Sequence, residues 1–171
     1  PTPASCRRVP YAVMITSRGC PAQCTFCDRK IFGESYRMRS TANLFEEIEE
    51  VVSKYGVREV RFFDDTFTVK KKRVYEICDE FERRKLNVIW TCLTKVVNVD
   101  GPMLKRMKKA GCWQVLFGLE SGDDRMLKLL RKGNTVEKNK KAIRLAKEAG
   151  MEVRGDFIVG TPGETWESLE R

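Results

Sequence analysis

At 171 residues the chain has the length of one domain with a real core. A hydrophobic share of 42% beside 33% charged residues excludes a disordered tail, and no apolar run reaches membrane-spanning length. The N-terminus lacks the charged-then-apolar pattern of a secretory signal, and the net charge of +9 favours an anionic partner.

Residues 1–10 read as an irregular lead-in and 11–171 as one domain. A first strand over 11–17 delivers a cysteine-rich loop. Ser40 or Thr41 then caps a helix whose apolar positions Leu44, Phe45, Ile48, Val51, Val52 and Tyr55 keep helical spacing up to Gly56. A second strand over 58–63 runs into Asp64-Asp65, and a second helix over 70–85 carries Val74, Ile77, Cys78 and Phe81 on one face. A third strand (87–93) and a helix from Asp100 to Gly111 follow. The fourth strand (113–119) ends in Glu120-Ser121; helical turns over 123–131 precede a helix from Asn134 or Thr135 to Ala149. A fifth strand (152–159) and a helix from about Thr165 complete the series.

Strand and helix alternating five times imply an α/β fold with a parallel sheet and crossover helices. An open sheet covered on both faces would need apolar residues along both sides of each strand. These strands alternate instead: Trp113, Val115, Phe117 and Leu119 oppose Gln114, Leu116, Gly118 and Glu120; Phe157 and Val159 fall on the apolar side that packs helices, and Glu59, Arg61, Arg154 and Asp156 on the polar side. A curled sheet with a wide polar lumen resolves this by placing those charges around a polar, zwitterion-sized ligand; the alternative is that the polar faces simply meet solvent in a fragment.

The motif richest in chemistry is Cys20-Pro21-Ala22-Gln23-Cys24-Thr25-Phe26-Cys27. A C-x-x-x-C-x-x-C loop turns three thiolates toward one region, and thiolates select zinc or an iron–sulfur cluster. A closed zinc site needs four ligands, and the chain has no histidine. Three ligands on a four-iron cluster leave one iron open; a zinc knuckle borrowing a distant cysteine, or three unrelated thiols, remain the alternatives. Seven cysteines, an odd number, argue against a disulfide framework and for a reducing cytoplasm. Cys6, Cys78, Cys92 and Cys112 read as small hydrophobes. The basic residues are scattered, and the one tight run, Lys70-Lys71-Lys72-Arg73, opens a helix as a solvated face, so nucleic acid is a possible partner that nothing favours.

The cysteine loop, with Phe26 before its last cysteine, resembles the signature of the radical SAM superfamily. The flanks Thr16-Ser17-Arg18-Gly19 and Ile31-Phe32-Gly33, with Asp64-Asp65-Thr66-Phe67, Phe117-Gly118-Leu119-Glu120-Ser121-Gly122 and Ile158-Val159-Gly160-Thr161-Pro162-Gly163-Glu164, are similar to the branch associated with cobalamin-binding domains. This resemblance implies a partial (β/α) barrel: about five units of a six-unit, three-quarter TIM-like barrel, with the sixth strand missing and an exposed edge open to self-association. It also implies that Cys20, Cys24 and Cys27 hold a [4Fe–4S] cluster, with S-adenosylmethionine (SAM) chelated at the fourth iron. Phe63, Asp64, Asp65 and Thr66 would then meet the methionyl amino group, Glu120 and Ser121 the ribose, Ile158 and Gly160 the adenine, and Phe26 the adenine or cluster. Arg154 becomes a candidate for the SAM carboxylate or else an internal ion pair with Asp156 or Glu152; Lys95 is a weaker candidate of the same kind.

The implied chemistry is reductive cleavage of SAM to a 5′-deoxyadenosyl radical, with an electron donor as partner, leading to methyl transfer or a related modification of an unspecified substrate. Cobalamin would have to come through a domain absent from this sequence. Other readings are a radical SAM methylthiotransferase-like enzyme acting on RNA, a zinc-stabilised nucleic-acid-binding module, and, fitting least well, an electron carrier.

Overall fold

The computed structural model describes residues 6–28, 30–33 and 35–171. Its main sheet has five parallel strands: β1 (Tyr11–Met14), β4 (Glu59–Phe62), β5 (Ile89–Thr94), β6 (Cys112–Glu120) and β7 (Glu152–Phe157), neighbouring one another in that order. A two-residue antiparallel ribbon, β2 (Ser17–Arg18) with β3 (Arg37–Met38), stands apart from it. The helices are α1 (Thr41–Tyr55), α2 (Lys71–Arg84), α3 (Gly101–Lys109), α4 (Asp124–Leu129), α5 (Val136–Glu148) and α6 (Trp166–Leu169).

Local chemistry sets these limits. The Ser40 side chain accepts from Asn43 N at the head of α1, and Gly56 ends that helix at φ 65°. Asp100, Asp123, Thr135 and Thr165 cap α3, α4, α5 and α6 in the same way. Because each new strand of the main sheet is added beside the last, right-handed crossovers put the connecting helices on one face. There Leu44, Phe45 and Ile48 of α1, Val74, Ile77 and Phe81 of α2, and Met103, Leu104 and Met107 of α3 bury themselves against Val60, Phe62, Trp90, Val115 and Phe117. Each such side chain contributes roughly 1.5–3 kcal/mol of burial. Trp90 stacks on Phe81 with 5.6 Å between centroids and donates from Nε1 to Ala110 O at 2.8 Å, satisfying its buried polar atom.

The result is the α/β, partial (β/α) barrel expected, with five of its strands in register. Four expectations are corrected. The first strand does not run over 11–17: it ends at Met14, and Ser17–Arg18 leave the sheet to pair with Arg37–Met38. Glu59 is not set around a ligand: it is buried and its Oε2 accepts from the backbone N of Arg7 and Arg8, so the lead-in closes that end of the sheet. Arg73 is not part of a solvated run but 3% exposed, its Nη2 donating to Thr16 O. Phe157 (60% exposed) and Val159 (72%) do not pack under helices, since β7 is an edge strand with nothing beyond it among the described residues.

Candidate functional site

Because the five strands are parallel, their C-terminal ends share one rim, where α/β proteins gather their ligands. The cysteine loop rises from that rim between β2 and β3. Gly19 (φ +84°) lets its two limbs cross; a Cβ there would lie 2.3 Å from Ser35 O. The loop docks through Thr25, whose N donates to Leu130 O at 3.0 Å, and Cys27 N turns back onto Cys24 O at 3.3 Å. Cys24 is buried, Cys20 half-buried and Cys27 exposed, and Cys20 Sγ lies 3.6 Å from Thr66 Oγ1. Burial pushes the Cys27 thiol above its ordinary pKa, Cys24 adds to that, Lys132 opposes it, and Cys20 and Glu120 push it up further. All three thiols therefore feel one another, and a cation stands beside them.

A cavity of about 350 Å³ opens at the rim, lined by Cys20, Phe26, Cys27, Asp65, Lys95, Glu120 and Lys132 among others. That is a size ordinary for a small-molecule site. A second hollow of about 150 Å³, lined by Phe63, Asp64, Arg154 and Asp156, continues the inner face of the sheet.

Glu120 is the best-defined group of the first cavity. It sits at φ 66°, a left-handed backbone that costs a non-glycine residue on the order of 1–3 kcal/mol, at a register irregularity between β6 and β7. Its Oε1 accepts from Lys132 Nζ at 2.5 Å, both side chains only 8% exposed. A Cβ on Gly118 would lie 2.5 Å from that oxygen and 2.7 Å from that nitrogen, so glycine is what leaves the pair its room. Lys132 Nζ also stands 5.6 Å from the centre of the Phe26 ring, and Lys95 Nζ donates to Lys132 O at 2.7 Å.

The structure thus brings Cys20, Cys27, Phe26, Asp65 and Glu120 to one cavity, with Cys24 buried beneath and Thr66 touching Cys20. Phe63 lines the second hollow. Arg154, expected to reach a SAM carboxylate or else to pair internally, lies 3.3 Å from Asp156, and both line that hollow. Ser121 is buried and its Oγ accepts from Asp123 N. Ile158 N donates to Glu120 O at 3.0 Å, while Gly160 is exposed and gives its N–H to Glu164; neither lines the cavity. Asp64 is spent elsewhere, on Thr16 and Ser17. Lys132 was not anticipated; its only signal is a lysine ahead of Gly133 just past a short helix, which is indistinguishable from a solvated turn.

The donor set fits an open cluster: three thiols on one loop, two facing a cavity, and no imidazole anywhere in the chain. Among the described residues, no three Cys, Asp or Glu side chains converge tightly enough to grip a single ion. A cubane spreads its irons, and so its thiolates, over a wider span.

Residues 14–171 match the sequence pattern of the Radical SAM superfamily. The chain belongs to that superfamily. Its family cofactors are a [4Fe–4S] cluster and SAM. Among curated proteins the chain is 39% identical over 163 residues to one named an uncharacterized methyltransferase of Pyrococcus horikoshii, covering 95% of this chain and 36% of that one. It is 36% identical over 156 residues to an anaerobic magnesium-protoporphyrin IX monomethyl ester cyclase of Rubrivivax gelatinosus, covering 90% and 28%. The chain therefore spans about a third of the length of such relatives. Among solved structures, the cobalamin-dependent SAM radical enzyme OxsB superposes with a TM-score of 0.85 at 23% identity, over 92% of this chain and 25% of that one. The radical SAM methyltransferase TsrM from Kitasatospora setae does so with 0.82 at 22%, over 92% and 30%. These two likenesses concern the fold.

Proposed function

We propose that this domain is the radical-generating core of a methyl-transferring radical SAM enzyme, with Cys20, Cys24 and Cys27 as ligands of a [4Fe–4S] cluster. The observation that carries the reading is the cavity that joins Cys20 and Cys27 to Asp65 and Glu120 at the strand ends. Cys20, Cys24 and Cys27 would hold the cluster, which would supply the electron for reductive cleavage of SAM. The chain's share is orientation and exclusion of water. Carboxylates at Asp65 and Glu120 suit an ammonium and ribose hydroxyls, and Lys95 and Lys132 suit a carboxylate. Phe26 and Leu93 supply apolar wall.

Methyl transfer follows the name of the Pyrococcus relative, and cobalamin, if used, belongs to a part of the protein outside this chain. The reading needs an outside electron donor and a reducing compartment, in keeping with seven cysteines that are all unpaired. It also treats the open β7 edge, with Phe157 and Val159, as a surface that something covers, a second copy of the chain included. No helix among the described residues is long and apolar enough to cross a membrane.

Anaerobic reconstitution tests the core claim. The expected result is about four irons and four sulfides per chain, with 5′-deoxyadenosine released from SAM under reductant. One tightly held zinc and no iron uptake would sink it.

A further inference from the structure

Asp64 lies two residues past the end of β4 and is 1% exposed. Its Oδ1 accepts from Thr16 N at 2.6 Å, and its Oδ2 from Thr16 Oγ1 at 2.6 Å and Ser17 Oγ at 2.5 Å. Both oxygens are thus engaged in charge-assisted bonds, the strong kind, and neither is left to meet a ligand's ammonium. Thr16 is held from its other side as well: its carbonyl accepts from Arg39 N at 3.0 Å and from Arg73 Nη2 at 3.1 Å. Arg73 is 3% exposed, its Nε and Nη1 are buried without partners, and its one hydrogen bond among the described residues goes to that carbonyl. A guanidinium kept so far from water, for a single bond to one residue, marks that residue as a fixed point.

Thr16 and Ser17 are the root of the cysteine loop, where the chain leaves β1 for the β2–β3 ribbon. Cys20 is three residues beyond Ser17. Two residues beyond Asp64, Thr66 Oγ1 reaches Cys20 Sγ at 3.6 Å and donates to Asp65 O at 2.6 Å. The short segment 64–66 therefore grips the loop at its root and at its first sulfur, while Asp65 between them lines the cavity.

We propose that Asp64 is a positioning residue for the cluster-binding loop, fixing Thr16 and Ser17 so that Cys20 stands against Thr66, with Arg73 as its counterpart across the Thr16 backbone. The proposal rests on the reading of the loop thiols as cluster ligands. Asp65, not Asp64, is then the carboxylate of this stretch available to SAM.

The test uses the metal-free chain first. Asp64→Asn, Ser17→Ala and the double variant are pulsed with iodoacetamide, and each cysteine's labelling rate is read by peptide mass spectrometry. The same variants are then reconstituted anaerobically and assayed for iron and SAM affinity. Asp64→Asn is expected to speed labelling of the half-buried Cys20 and the buried Cys24 about tenfold or more, the scale of losing buried charge-assisted hydrogen bonds, while the already exposed Cys27 changes little. Cys78, Cys92 and Cys112 should stay protected, and iron content should fall. Ser17→Ala should act in the same direction more weakly, and the double variant should add little beyond Asp64→Asn, since the Ser17 hydroxyl bond is one of the three that Asp64→Asn already disturbs. Faster labelling of the core cysteines in step with the loop would mean a general structural role and overturn the proposal. So would unchanged loop labelling with only SAM affinity lost. If Asp64→Asn does not fold, Ser17→Ala, which deletes one hydroxyl, decides by the same criteria. Failure of the wild type to bind iron would sink the functional reading yet leave the labelling pattern able to judge Asp64.

Discussion

The chain carries two groups of three thiols, and they could hardly differ more. Cys78 of α2, Cys92 of β5 and Cys112 of β6 meet in the core, each 0% exposed. Burial pushes the Cys78 thiol up to about 12 and Cys112 well above its ordinary value, and Cys112 donates to Gln114 O at 3.5 Å. Cys20, Cys24 and Cys27 sit on a loop at a cavity mouth, graded from buried to exposed, with the Lys132 ammonium beside them. Thiolate is the form that binds metal; in the core Arg106 favours it at Cys78 but burial outweighs that, whereas the rim joins a cation to an open approach path. Three cysteines close in space are therefore no site by themselves; the surrounding charge and access make the difference.

The largest expected break in this comparison is Cys24→Ser. Iron after reconstitution should drop from about four per chain to near background, while Cys112→Ala keeps full loading, both read by iron and sulfide analysis. Equal loss in both variants would erase the distinction.

Next comes the rim's ion pair. Lys132→Met leaves Glu120 as an unpaired charge among side chains only 8% exposed, and denaturant unfolding of the metal-free chain should show a loss of about 3–5 kcal/mol. Glu120→Gln with Lys132→Met should lose clearly less than the two single losses summed. A loss under about 1 kcal/mol would mark the pair as water-exposed.

A smaller effect tests the core thiols by pH. The Cys78 pKa is raised in the folded state, so above the ordinary thiol range the unfolded chain releases this proton first and the folded chain keeps it. Its contribution is whole below pH 9, and is lost as pH climbs from 9 towards 12, by about 1.4 kcal/mol per unit. Stability profiles of wild type and Cys78→Ala should therefore run parallel up to about pH 9 and converge above it, the variant falling less steeply. Smallest of all, Cys112→Ala should cost about 1–2 kcal/mol with an unchanged denaturant slope.

Much of this was legible beforehand where chemistry is local. Ser40, Asp100, Thr135 and Gly56 set helix limits through hydrogen bonds to neighbours a few residues away, and alternation along β6 separated its core side from its cavity side from Val115 onward; Trp113, expected on the core side, falls at a register irregularity and lies outside the core cluster, which Cys112 joins instead. Contacts across long separations were not legible. The ribbon partner of Ser17–Arg18 is two residues long and carries no periodicity. Arg73 sits in a basic run that looks solvated, and only the fold turns it onto Thr16. Asp64 and Asp65 are identical in sequence terms, yet the chain bends at Asp65 just past β4, and one side chain goes to the loop root while the other lines the cavity.

The hook from Thr25 to Leu130 has a consequence for biogenesis. Its two ends are 105 residues apart in the chain. At roughly 5–20 residues per second, synthesis of the second anchor trails the first by roughly 5–20 s. During that delay segment 64–66 can already hold the root of the loop, but the Cys24–Cys27 limb lacks its dock, so the three sulfurs take their final arrangement only once Leu130 has been made.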